Sequence, residues 1–197
     1  MNSSAAQRMA DEPSDAPAQD DALSSDESVV LLCARQPQAF AELYRRYETR
    51  VYRYLLVRVG SAHDAQDLTS QAFVAAFEGI RSYAGKGAFA AWLFGIARRK
   101  LVDHFRHYDH ALPLDDAASE PHPGQTLDQQ THERLQLNQI TAALRRIAPE
   151  RAEALSLRIF GELSSAEIAV LMNKSDAAVR MLVHRAIEDI RKIVGVK

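Results

Sequence analysis

The chain has 197 residues, 47% of them hydrophobic and 25% charged, with a net charge of −2, so it can bury the core of one or two domains of ordinary size. Its single cysteine, Cys33, excludes an internal disulfide, and its longest uncharged apolar run, Ala88 to Ala97, is far too short to span a membrane. With no signal-peptide core at the N-terminus, the expectation is a soluble protein of a reducing compartment, the cytoplasm.

The small net charge hides a segregation. Residues 1–27 carry −6, residues 28–107 carry +6, residues 108–130 carry −5 and residues 131–197 carry +3. Two basic blocks separated and preceded by acidic stretches are the pattern of two modules that meet a polyanion through connectors that do not.

In chain order, residues 1–25 are rich in Ser, Ala, Asp and Pro, lack hydrophobic periodicity and read as a disordered acidic tail. A short helix is expected from about Asp26 to Arg35, with Cys33 in its apolar run as a small buried side chain. The Gln36-Pro37 step ends it. A long helix follows from about Pro37 to Val59, with Phe40, Leu43, Tyr44, Tyr47, Val51, Tyr54 and Leu55 as its core stripe.

After Gly60-Ser61, the segment HDAQDLTSQAFVAAFEGI reads as an amphipathic helix. Ala65, Leu68, Ala72, Ala75 and Ala76 face inward with Phe73, Phe77 and Ile80 alongside, whereas Asp64, Asp67, Gln71, Val74 and Glu78 share the outer face. Asp64 and Asp67 are spaced to share a metal ion, but no further ligand converges from this segment, and a docking or solvated face is the better reading.

The loop from Arg81 to Gly87 lacks the spacing of a phosphate loop and follows no strand. The next helix, AFAAWLFGIARRKLVDHFRH, buries Phe89, Trp92, Leu93, Ile96, Ala97, Leu101 and Phe105 and leaves Arg98, Arg99 and Arg106 on the remaining side. Aromatic rings at a loop with arginines on the adjoining helix suit single-stranded bases and their phosphates. Trp92 fits the core equally well. His104, His107 and His110 recur every three residues, a spacing that fits a frayed, partly cationic helix end better than a metal site.

Residues 108–130, with three of the seven prolines and no basic residue, read as a flexible acidic linker. Beyond it, from about Thr131, Leu135, Ile140, Ala143, Leu144 and Ile147 form a stripe, and Pro149 suits the first position of a helix leading to Phe160. Two such units on a proline-containing linker are expected to share a modest mutual interface at best.

The last segment carries the most local chemistry. Ser164 and Glu167 have capping-box spacing, Asn173 tolerates left-handed backbone, and Ser175 can cap the following helix. This is helix-turn-helix spacing. In the second helix Val179, Leu182, Val183, Ala186, Ile190 and Ile193 form one buried stripe, opposite Ala177, Met181, His184 and Arg185, with Arg180 and Arg191 on one flank and Lys192 on the other. Small residues near its N-terminus would admit it to a major groove, although a helical hairpin with a solvated basic face fits the same spacing.

Four motifs in order, AFAELYRRYETRVYRY, DAQDLTSQAFVAAF, SYAGKGAFAAWLFGIARRKLVDHFR and APERAEALSLRIFGELSSAEIAVLMNKSDAAVRMLVHRAIEDIRK, resemble a bacterial RNA polymerase sigma factor of the extracytoplasmic-function type in the sigma-70 family. The resemblance covers about three quarters of the chain. It implies an all-α fold of two small helical domains, region two over 26–107 and region four over 131–197. It also implies a non-enzymatic protein, without catalytic residue, metal or cofactor, whose partners are core RNA polymerase, promoter DNA and an anti-sigma factor, with no membrane insertion.

The same resemblance assigns roles. The helix bearing Asp64, Asp67 and Gln71 would dock on the polymerase clamp, with Leu68 and Phe73 shaping it from inside. Tyr83, Lys86, Trp92, Arg98 and Arg99 would hold a base extruded from the minus-ten element, and Ser175, Arg180, Met181, His184 and Arg185 would meet the minus-thirty-five element. Two departures bear on specificity. The family's Phe-Arg-Gly-acidic-Ser is Tyr83-Ala84-Gly85-Lys86-Gly87 here, and the recognition helix lacks a threonine, a serine and one basic residue of the usual run. Promoter sequence therefore does not carry over.

Two other classes fit parts of the chain. A conventional helix-turn-helix regulator would explain residues 161–193 and leave 26–107 without a role. A metal-dependent nuclease would need a convergent set of acid, base and metal ligands that the sequence does not display.

Overall fold

The computed structural model describes residues 25–83, 88–110 and 127–195, with side chains for all of these except 108–110 and 127–133. The expected acidic tail apart from Ser25, most of the expected linker, and Lys86 lie outside the described residues. Among the described residues there are eight α-helices and no strand: α1 (Asp26–Cys33), α2 (Phe40–Val59), α3 (Ala62–Gly79), α4 (Phe89–His110), α5 (Leu127–Arg145), α6 (Pro149–Ile159), α7 (Ser165–Met172) and α8 (Asp176–Val194). The described residues are all-α, as the resemblance implied.

Local chemistry sets the helix ends. Ser25, Ser61, Ser164 and Ser175 each accept a backbone N–H at a helix start, and at Ser164 the Glu167 carboxylate returns the bond to complete a capping box. Pro149 opens α6, and Asn173 closes α7 in the left-handed region at φ 53°. Gly60, at φ 79°, turns the chain from α2 into α3.

The long α2 is the common support. One side packs on α1, α3 and α4 through Leu43, Tyr47, Val51 and Leu55; α1 is fastened by Asp26, which accepts from Arg46 at 3.0 Å and from the Tyr47 hydroxyl. Cys33 is buried, and burial pushes its thiol pKa up, so it packs as a small apolar group rather than a reactive thiolate.

The other side of α2 receives the C-terminal helices, and here the expected modest interface is overturned. Leu157, Leu163, Ile168, Ala169 and Val179 join the same apolar core as Tyr54, Leu93 and Phe94, while Val57 joins Leu144, Ile147, Ala152, Leu155 and Ala186 in a second cluster. The linker composition suggested separation. What opposes it is a matched apolar seam that neither half could leave in water without cost.

Several side chains lie further out than the helical wheel placed them. Tyr44 and Phe77 are 45% and 47% exposed at the edge where α2 meets α3, and Phe105 is partly exposed toward the end of α4. Leu135 and Ile140 are exposed because α5 meets the body through Leu137, Thr141 and Leu144, with Ile147 just past its end.

Candidate functional site

Three surfaces carry the residues singled out from the sequence. The first is the outer face of α3. Its N-terminal turn is fixed by the Ser61 cap, which receives the Asp64 N–H at 3.3 Å. Asp67 and Gln71 are exposed and joined at 2.7 Å, Gln71 Nε2 donating to Asp67 Oδ2, while Asp64 is half-exposed. Leu68 and Phe73 are buried beneath them. The polar row is bordered by apolar groups outside the site drawn from the sequence: exposed Val74 and Phe77, with the Tyr44 ring tilted at 58° to Phe73, centroids 4.7 Å apart. The signal was present in Val74, already on the outer face, and in Phe77 one turn beyond Phe73. Such a face offers a partner acceptors flanked by apolar contact area.

The second surface is an aromatic group where the loop before α4 meets that helix. Tyr83 and Trp92 lie 5.0 Å apart at 39°, Trp92 and Phe89 5.6 Å apart at 45°, and Tyr83 meets Phe89 edge-on at 5.8 Å. Phe89 is sealed in the core, whereas Tyr83 and Trp92 are half-buried, so each has a footing and an accessible part. Burial raises the Tyr83 phenol pKa, so the hydroxyl is neutral and can donate. Trp92 lies against Gly79, where an added Cβ would come within 3.4 Å of its ring. The structure thus gives the tryptophan half a core role and half an exposed one.

The structure divides the arginines that accompany this group. Arg99 is exposed two turns beyond Trp92, on the same side of α4. Arg98 turns the other way, toward the C-terminal helices, where its Nε stands 3.4 Å from a carboxylate oxygen of Glu153. Glu153 itself is 6% exposed on α6; it also accepts from the Tyr54 hydroxyl at 2.8 Å and contacts Arg58 Nη1 at 3.0 Å. A carboxylate taken out of water needs such partners, and burial together with Glu153 pushes the Tyr54 pKa well up, keeping it a donor. Beside this cluster Arg50 donates to the carbonyls of Gly161 and Glu162 at 2.8 to 3.0 Å while its guanidinium covers the Tyr47 ring. Sequence reasoning missed this cluster, since Glu153 looks like any helical surface charge.

The third surface is the exposed side of α8. The Ser175 hydroxyl is occupied as the cap, receiving the Ala178 N–H at 3.2 Å. Ala177, Met181, His184 and Arg185 are exposed together, with Val179 and Ala186 buried opposite. Arg180 is paired with Asp176 one turn earlier and His184 lies 3.8 Å from Glu188, whereas Arg185 makes no ion pair among the described residues. His104 is half-buried and His107 Nδ1 lies 2.7 Å from its own helix's Asp103 carbonyl; the His110 side chain lies outside the described residues.

Comparison with known proteins accounts for both halves. Residues 43–110 match the family model for Sigma-70 region 2, and residues 137–190 match that for Sigma-70, region 4. The chain is 33% identical over 171 residues to the ECF RNA polymerase sigma factor BldN of Streptomyces coelicolor, covering 82% of this chain and 62% of BldN. It is 30% identical over 163 residues to the ECF RNA polymerase sigma-E factor of Haemophilus influenzae, covering 77% of this chain and 85% of that one. The fold is similar to that of CnrH, solved with the cytosolic domain of CnrY, with a TM-score of 0.68 at 21% identity over 87% of this chain and 98% of CnrH. It is also similar to that of RpoE from Bartonella quintana, solved with the anti-sigma factor NepR, with a TM-score of 0.61 at 18% identity over 80% of this chain and 98% of that one.

Proposed function

The chain belongs to the extracytoplasmic-function sigma factors of the sigma-70 family, and on that premise we propose how its surfaces divide the work of starting transcription. Residues 26–107 form the unit that meets core RNA polymerase and the minus-ten element, and residues 131–197 form the unit that reads the minus-thirty-five element. The protein works in the cytoplasm, through binding rather than catalysis.

Core polymerase docks on the outer face of α3, through Asp64, Asp67 and Gln71, over a base shaped by Leu68 and Phe73. Promoter melting uses the aromatic group. Extruding a base costs a few kcal/mol, and stacking on an aromatic face returns about 1 to 3 kcal/mol per base. Tyr83 and Trp92 supply that face and Arg99 and Lys86 supply positive charge, while Arg98, turned toward Glu153, stands apart from them. Ser175 starts α8 at the duplex, and Arg180, Met181, His184 and Arg185 enter the major groove, where arginines meet base edges or phosphates. An anti-sigma factor controls the protein by covering the clamp-binding face; RpoE, a protein of the same fold, was itself solved in complex with the anti-sigma factor NepR.

The observation that carries this reading is the coexistence in one chain of two surfaces with different chemistry: a capped helix-turn-helix with an exposed basic face, and a half-buried aromatic pair at the start of α4. Duplex reading needs the first, and only strand separation needs the second. Run-off transcription with purified core polymerase on fragmented genomic DNA from the source organism is the test. Discrete transcripts that require the chain are expected. Tight, specific duplex binding by the chain alone with no transcript would instead make it a conventional regulator.

A further inference from the structure

We infer that Asp26, at the start of α1, is a positioning residue for promoter opening: through the Tyr47 hydroxyl it keeps Phe89, the buried ring under Tyr83 and Trp92, in place. The inference deepens the proposed function, since it rests on Tyr83 and Trp92 being the pair that receives the extruded base.

The route runs ring by ring. Asp26 is held at both carboxylate oxygens, Oδ1 accepting from Arg46 at 3.0 Å and Oδ2 from the Tyr47 hydroxyl. The Tyr47 ring, 5% exposed, meets Phe89 edge-on, centroids 5.4 Å apart at 64°. Phe89 in turn contacts both members of the pair, Tyr83 at 5.8 Å and Trp92 at 5.6 Å.

The polar atom on this route is the Tyr47 hydroxyl. Burial and then Asp26 push its pKa far above the ordinary phenol range, so it keeps its proton and needs an acceptor. A buried hydroxyl stripped of its acceptor is costly, and the ring shifts until another acceptor or water reaches it. Arg50 covers the Tyr47 ring at 4.9 Å, which blocks one direction of movement. In a close-packed interior the remaining shift passes to the next ring, here Phe89, and from it to the pair.

The turn that feeds Tyr83 makes this support necessary. The Tyr83 N–H is tied to the carbonyls of Gly79 and Ile80, each at 3.2 Å, so the ring follows that turn. On the α1 side the turn borders a cavity, lined by Cys33, Pro37 and Phe77 together with Ile80 and Arg81. Packing there does not wedge the turn, and the ring contacts carry the task of fixing the pair. The Tyr83 phenol also lies in the field of α1: after burial, Glu27 and Asp26 raise its pKa. Stacking favours an extruded base most when the rings already stand in place, because ordering them on arrival would consume part of the gain.

The test uses the full chain. Trp92 is its sole tryptophan, so intrinsic fluorescence reads the pair directly. Asp26→Ala leaves the Tyr47 hydroxyl without its acceptor. It is expected to move the emission to longer wavelength and raise quenching by acrylamide. With core polymerase, opening followed by a fluorescent base analogue in the minus-ten element should slow about tenfold, the scale of one buried hydrogen bond. Adding Tyr47→Phe removes the orphaned donor as well, so the double variant is expected to return to within about twofold of wild type in opening, with its emission restored. A contact that merely fastens α1 would show no such rescue.

Asp26→Asn covers the case in which Asp26→Ala does not fold. It keeps an acceptor oxygen for the hydroxyl while removing the charge from the pair with Arg46, and is expected to match wild type within about twofold. An Asp26→Asn variant impaired about tenfold would overturn the proposal, by placing the effect on the Arg46 ion pair. So would a folded Asp26→Ala with unchanged emission, or a double variant no faster than Asp26→Ala. The functional reading fails separately: wild-type chain with core polymerase would give no transcript, or a shifted Trp92 emission would accompany opening at the wild-type rate.

Discussion

α4 and α8 both bring arginines to a helical surface, and they use them in opposite ways. On α8 the residues opposite the buried stripe stand in solvent, with Met181 50% exposed and Arg185 unpaired among the described residues. On α4, Arg98 turns into the seam beside Phe94, which is fully buried against the C-terminal helices. A basic helical face is thus a presented surface in one half and a closed joint in the other. Residue type alone does not separate the two cases; what lies opposite does.

The comparison breaks most easily at Phe94. Truncating a fully buried aromatic costs about 3 to 5 kcal/mol, whereas a surface change stays within roughly 0.5 kcal/mol. Phe94→Ala should therefore lower stability in urea titration by several kcal/mol and Met181→Ala hardly at all. Similar midpoints for the two variants would show that the seam is open in solution. The outer face of α3 sharpens the contrast from the other side. Asp64→Arg with Asp67→Arg should leave the circular dichroism spectrum unchanged and weaken core polymerase capture by about 2 to 4 kcal/mol, the scale of like-charge juxtaposition at an interface. Unchanged capture would remove this face from the polymerase interface.

Why one face was legible and the other was not follows from range. The caps at Ser164 and Ser175, the turn at Asn173, the start at Pro149 and the stripe from Val179 to Ile193 are set within a turn or two of chain, so the residue order displays them. The seam joins Arg58 and Arg98 to Glu153 and Arg50 to Gly161, pairs far apart in sequence with no periodicity linking them. One local sign existed. The segment from Phe89 to Ala97 is apolar on nearly every side, which marks a helix packed on more than one face. A single buried arc left Phe94 out. The aromatic pair was legible as residues and ambiguous as a role, because half-burial of Trp92 satisfies both readings.

Smaller effects separate the two surfaces proposed to meet nucleic acid. Tyr83→Ala or Trp92→Ala should cost promoter opening about 1 to 3 kcal/mol, the worth of stacking one base, and leave duplex binding at the minus-thirty-five element intact. Transcription should recover on a template pre-melted by mismatches. A fluorescent base analogue in the minus-ten element whose signal rises as in the wild type would exclude this pair from the pocket. Within α8, Arg185→Ala should weaken holoenzyme binding by about 1 to 3 kcal/mol if the arginine reads a base edge. Arg180→Ala should cost less. Arg180 first gives up its pair with Asp176, worth about 0.3 to 0.5 kcal/mol at an exposed helical site, and Asp176 repels any phosphate nearby. Anisotropy titrations on the promoter found by run-off would rank the two, and the reverse order would place the duplex on the other flank of the helix.

The Arg50 clasp has a consequence for how this chain tolerates sequence change. Its acceptors are main-chain carbonyls, at Gly161 and Glu162, with the Glu162 carboxylate a more distant 3.7 Å from Nε. Any codon at 162 still supplies a carbonyl, though the left-handed backbone there favours Asn, Asp or Gly. Position 50 has no such freedom, because only a guanidinium offers several donors in a fixed fork. Position 161 has none either, for want of room. In a saturation library sorted for folded protein, the joint should therefore appear as two intolerant positions, 50 and 161, next to a more tolerant one at 162 where Asn, Asp and Gly are enriched. Hydrogen bonding to main chain places the information for the contact almost wholly on one partner.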